Sequence, residues 1–157
     1  MESYSQNKLR MSEKILKITS ISSQILYEEF NIFLVLVDII FWDTNQITIT
    51  RDPYLLFEGF NEWVKFSDIK KSFNLIHFYT HVDLDEKMFG LGYLWGNYKS
   101  SVTTAVIQIS NSTDFKTALI VKHEIEQSLS LNRYKMYKPG IDQSNIIFYK
   151  FWAKHQL

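Results

Sequence analysis

Asn31-Ile32-Phe33-Leu34-Val35-Leu36-Val37-Asp38-Ile39-Ile40-Phe41 is the stretch on which the fold turns. It is almost continuous in β-branched and large apolar residues. That composition belongs to a strand covered on both faces rather than one with a wet side. Upstream, Ser12 to Glu29 places Ile15, Ile18, Ser22, Ile25 and Leu26 near a 3.6-residue period, which predicts a core-facing helix with Ser12 as its N-cap. Downstream, Asp43-Thr44-Asn45 is turn chemistry and Gln46 to Thr50 a short extended piece. Pro53 then opens a helix whose apolar stripe is Leu56, Phe57, Phe60, Trp63 and Val64.

The remainder continues the alternation. Asn74 to Thr80, Phe89 to Trp95 and Val102 to Ile109 read as strands. Asn111-Ser112-Thr113-Asp114 ends the sheet and caps a helix that runs through Ala118 to Leu131. After a turn at Lys138-Pro139-Gly140, residues Ser144 to Lys154 carry Ile147, Phe148, Phe151 and Trp152 at helical spacing and predict a last helix. Such an order gives a layered α/β structure, and 157 residues without a linker or an internal repeat give one domain over 1–157.

Composition removes several function classes. Lys plus Arg (17) balances Asp plus Glu (17), so there is no electrostatic case for nucleic acid or for an anionic membrane surface. The absence of cysteine excludes disulfides and thiolate metal sites and fits a reducing compartment. The first residues lack the apolar core of a signal peptide, and the longest apolar run is far short of the roughly 20 residues that span a bilayer. Compartment stays open on these grounds. Asn111-Ser112-Thr113 is a glycosylation triplet that matters only in the secretory pathway.

Chemistry concentrates in the helix over 118–131, followed by Asn132-Arg133-Tyr134. A helix bearing His, then Glu, then a second His one turn on can present two imidazoles to zinc and a carboxylate to the bound water. Here His123 and Glu124 are present, but Gln127 occupies the second ligand position. Gln is a weak neutral ligand, and Arg133 brings a permanent cation to the region of the third. His77 and His81 sit four apart on an extended segment, about 13 Å at ~3.3 Å per residue, too far to share a metal. Asp83, Asp85 and Glu86 lack the glycine and donor spacing of a calcium loop and read as a solvated turn. Trp42, Trp63, Trp95 and Trp152 read as core anchors.

Several of these stretches together resemble the reprolysin-type (ADAM and snake-venom, peptidase M12B) zinc metalloprotease domain: Leu26-Tyr27 leading into Asn31 to Val37, Phe41-Trp42-Asp43 with Ile47-Thr48-Ile49, Leu56 to Trp63 ahead of Lys70, Phe89-Gly90-Leu91-Gly92-Tyr93, and His123-Glu124-Ile125. The resemblance implies a three-layer metzincin-like sandwich with a mixed, mostly parallel sheet. His123 matches the family's first zinc ligand and Glu124 its general base. Gln127, Ser130, Arg133 and Tyr134 stand where the family has His, Gly, His and Asp. Met136 does not match the family's turn methionine, and Ile141 to Trp152 is similar to the domain's last helix. The family's first strand, which in its sheet lies between the strands matched by 32–40 and 74–80, has no counterpart ahead of the first helix, so a partial domain is expected. That slot should close by direct pairing of the two strands or leave a hydrophobic edge.

The functional expectation is a non-catalytic metalloprotease-like domain with no cofactor, zinc being lost. It acts as a protein-binding or adhesion module, or is a degenerate relic. The alternative is the family activity, a zinc metalloendopeptidase hydrolysing peptide bonds. Protein is the expected partner, with neither nucleic acid nor a membrane segment. Family members are membrane-anchored or secreted, so the resemblance and the missing cysteines point to different compartments.

Overall fold

The computed structural model describes residues 2–67, 69, 74–85, 88–92, 102–109, 113–129 and 145–154, with 2–3 and 145–154 described as backbone. The elements are α1 (Glu2–Phe30), β1 (Ile32–Trp42), α2 (Pro53–Phe66), β2 (Leu75–Thr80), β3 (Gly90–Gly92), β4 (Thr103–Gln108), α3 (Asp114–Ser128) and β5 (Asn145–Lys154). One residue joins α1 to β1. Asn31 takes φ 57, a left-handed conformation that Asn tolerates, and its N–H returns to the Tyr27 carbonyl at 2.9 Å, ending the helix. Helix α1 begins ten residues before Ser12, whose Oγ donates to the Lys8 carbonyl at 2.9 Å within the helix instead of capping it.

The sheet has five strands in the order β1-β5-β2-β4-β3. Strands β1, β5, β2 and β4 run parallel to their neighbours and β3 antiparallel to β4. Residues 145–154 therefore form a strand and not the expected last helix. The slot between the first two sheet strands is neither closed directly nor left as an open edge, because β5 occupies it. It pairs with β1 from Ile32↔Asn145 to Trp42↔Lys154, through an irregularity between Leu36 and Asp38, and with β2 from Leu75↔Tyr149 to Tyr79↔Ala153. The apolar set Ile147, Phe148, Phe151 and Trp152 fits a helix period. The same run, Ile-Ile-Phe-Tyr-Lys-Phe-Trp, also reads as a buried parallel strand, and such short apolar runs are ambiguous by periodicity alone. Two flanking edges with unsatisfied backbone groups decide between the two. A helix at 145–154 would leave those groups unpaired at a cost of about 1–3 kcal/mol for each one buried.

Helices cover both faces, giving the three layers. On one side α1 and α3 enclose Ile15, Ile18, Leu26, Leu34, Leu75, Tyr79, Ile107, Val121 and Ile125. Buried Ser22, lying 2.9 Å from the Ile18 carbonyl and 3.0 Å from that of Ala118, lets the two helices approach closely. On the other side α2 packs Leu56, Phe57, Phe60 and Val64 over Trp42, Ile76, Phe78 and Val106. Trp42 meets Trp63 edge-on at 4.9 Å and Phe78 at 5.2 Å, and these aromatic pairs add about 0.5–1.5 kcal/mol each beyond burial. Asp52 starts α2 by accepting from the N–H groups of Tyr54 and Leu55, with Pro53 in the first turn. Strand β2 is buried at every position. Strand β1 is not: Phe33, Val35 and Val37 are exposed, since the packing of α2 reaches only the Trp42 end of that face. Residues 46–50 form no strand.

Candidate functional site

Helix α3 is set by Thr113, whose Oγ1 accepts from the Lys116 N–H, and by Asp114, which pairs with Lys14 at 3.4 Å and Lys17 at 3.0 Å across from α1. Thr117, Ala118, Val121 and Ile125 point into the core. That fixes the rotation of the helix and leaves His123 exposed on the outer face. Residue 127 lies one turn on, on the same face.

Gln127 Nε2 is 2.6 Å from His123 Nε2. The Gln127 carboxamide thus lies within hydrogen-bonding distance of the ring nitrogen that a metal would use. Among the described residues the donors on this face are one imidazole and one carboxamide, fewer than the three protein ligands that a catalytic zinc takes beside its water. No group of three or more His, Asp or Glu that could hold a metal occurs among the described residues. Ser130, Arg133, Tyr134, Met136, the 138–140 turn and Asn111 lie outside the described residues.

Glu124 is the neighbour of His123 in sequence but points elsewhere. Its side chain turns inward against β3 and is 5% exposed. Gly90 and Gly92, two apart and hence on one face of the strand, leave the room it fills. A Cβ on Gly90 would lie 3.0 Å from Glu124 Oε1 and 2.8 Å from Ile120 Cγ2, and one on Gly92 would lie 2.8 Å from Glu124 Oε2. Oε2 has no hydrogen-bond partner among the described residues. Burial pushes the carboxyl up to about 7, because the charged form loses its hydration. The structure thus separates the two motif residues, with an exposed imidazole bound to an amide and a buried carboxyl beneath a sheet edge. The sequence reading missed the glycine pair, for which the Gly-Leu-Gly of β3 was the available signal.

The other sequence suggestions dissolve into structure. His77 is fully buried in β2, where desolvation pushes its pKa down to about 3, while His81 is exposed beyond the strand end. Asp83 accepts from Gln108 Nε2 at 3.0 Å and Asp85 pairs with Arg51 at 3.2 Å, so the two carboxylates are engaged separately. Glu86 and Trp95 lie outside the described residues. A groove far from α3 runs between residues 46–50 and α2, lined by Ile47, Thr48, Leu55, Gly59, Trp63 and Phe66. Its lining is mixed, with Phe66 82% and Leu55 59% exposed beside the polar Gln46, Thr50 and Glu62.

A family model described as Reprolysin (M12B) family zinc metalloprotease matches residues 1–140, a span that ends before β5. The matched span carries both helical layers, strands β1 to β4 and the His123-Glu124 pair, and by that match the chain belongs to the reprolysin (M12B) family of zinc metalloproteases.

Proposed function

We propose that this chain is a reprolysin-family domain that does not hydrolyse peptides and acts by binding another protein. The observation that carries the proposal is the Gln127 amide at 2.6 Å from His123 Nε2. On a helix, residue 127 is the position from which a second imidazole would join His123 at a metal, and here the same geometry sets a carboxamide against the ring nitrogen. Arg133 stands in sequence where the family has its third His, and a guanidinium is not a zinc ligand. Without a metal to polarise water, Glu124 beneath β3 has no activated nucleophile to deprotonate.

Support for binding comes from the exposed Leu55 and Phe66 that line the α2 groove, since apolar side chains gathered at a concave surface mark interaction sites. The test is a peptidase assay on a generic peptide library with zinc supplied, run beside metal analysis of the purified chain. The proposal expects background hydrolysis and no retained zinc. Hydrolysis that disappears in Glu124→Gln would establish the peptidase reading instead.

A further inference from the structure

The last strand of the chain sits in the second position of its sheet, between strands that precede it by more than sixty residues. Without β5 the sheet separates into β1 alone and the group β2-β4-β3. Both edges facing the gap then expose backbone N–H and C=O groups, and β2 is buried at every residue, so the gap cannot stay empty without a large penalty. What fills it need only be an extended, apolar strand in the parallel sense. Backbone pairing carries no record of which molecule supplies the strand.

We infer that the slot between β1 and β2 is a strand-accepting site that residues 145–154 of a second copy can enter, giving a dimer in which each sheet is completed by its partner. Within residues 1–157, β5 is joined to the body by the fifteen residues 130–144 alone, which span at most ~50 Å, enough to reach a neighbouring molecule. Exchange of identical strands remakes the same contacts, so monomer and dimer differ in connector and association entropy rather than in pairing. Closure within one chain is unimolecular and exchange between copies bimolecular, so the closed monomer prevails on dilution and exchange grows with folding concentration. Net charge is zero, and no long-range repulsion opposes the encounter.

The register supplies a direct test, because the chain has no cysteine of its own and Val35 pairs with Phe148. Val35 is 40% exposed, so a thiol there leaves the core intact. Full-length Val35→Cys and Phe148→Cys chains are mixed in denaturant, refolded together at about 1 mM or a hundredfold lower, and then oxidised. The inference expects a disulfide-linked mixed dimer, enriched at least severalfold by refolding at high concentration and persisting on dilution. Linkage of Val35→Cys chains to each other alone would indicate association through the outer edge of β1 and overturn it, as would monomers at both concentrations. The double variant Val35→Cys/Phe148→Cys, refolded dilute, must close its disulfide within one chain. Failure there would overturn the placement of β5 on which the inference stands.

Discussion

Removing the Glu124 charge by Glu124→Gln should convert a pH-independent stability into a pH-dependent one, because two buried groups titrate in opposite directions. His77 has its folded pKa depressed from 6.5 to about 3 by burial. Its contribution is complete above 6.5 and is lost as pH falls toward 3, since the unfolded chain gains a proton that the folded chain refuses. Over the whole interval that loss is about 5 kcal/mol, at about 1.4 kcal/mol per pH unit. Glu124 has its folded pKa raised from 4.5 to about 7, also by burial. Its contribution is complete below 4.5 and declines as pH rises to 7, by about 3 kcal/mol. Between 4.5 and 6.5 the slopes are equal and opposite, so the parent chain should show a plateau. The carboxylates of Asp43 and Asp114, lowered from 3.8, act below this window. Urea unfolding at half-unit intervals from pH 4.5 to 6.5 reads the effect. Glu124→Gln should gain about 1.4 kcal/mol of stability per pH unit with rising pH, roughly 3 kcal/mol across the window, whereas His77→Gln should lose stability at the same rate. A Glu124→Gln chain as flat as its parent would refute the burial of that carboxyl beneath β3.

Gly92→Ala places a Cβ 2.8 Å from Glu124 Oε2 and should destabilise by about 1–3 kcal/mol, with much of the loss recovered in the Gly92→Ala/Glu124→Ala double variant, as a thermodynamic cycle would show. Asp52→Ala removes the acceptor for the Tyr54 and Leu55 N–H groups and should cost about 1 kcal/mol in chemical denaturation without altering zinc binding or oligomeric state. Gln127→His alone should not create a tight metal site, because it supplies two imidazoles where catalytic zinc takes three ligands, and calorimetric titration with zinc should show at most weak binding.

The fold was legible wherever a local signal and the tertiary environment agreed. Pro53 with the stripe from Leu56 to Val64 defines α2, and the buried run 75–80 defines β2, because amphipathic period and turn chemistry there have one solution. Residues 145–154 were not legible. Their apolar spacing satisfies both periods, and the choice is made by the edges of β1 and β2, far away in sequence. The two faces of β1 were misjudged for a related reason: composition reports how apolar a strand is, whereas the reach of α2 decides that Phe33, Val35 and Val37 stay exposed. In the site, the helical spacing of His123 and Gln127 predicted their adjacency. The inward turn of Glu124 depends on two glycines more than thirty residues earlier, a contact that helix periodicity does not encode.

Zinc content tests the central claim most directly. The purified full chain, equilibrated with excess zinc, dialysed and assayed for bound metal alongside its thermal midpoint, should retain no stoichiometric zinc and melt at the same temperature with and without it, since a ligand that binds only the folded state would raise that midpoint. About one tightly held zinc per chain, with a raised midpoint and peptide hydrolysis abolished by Glu124→Gln, would contradict the account.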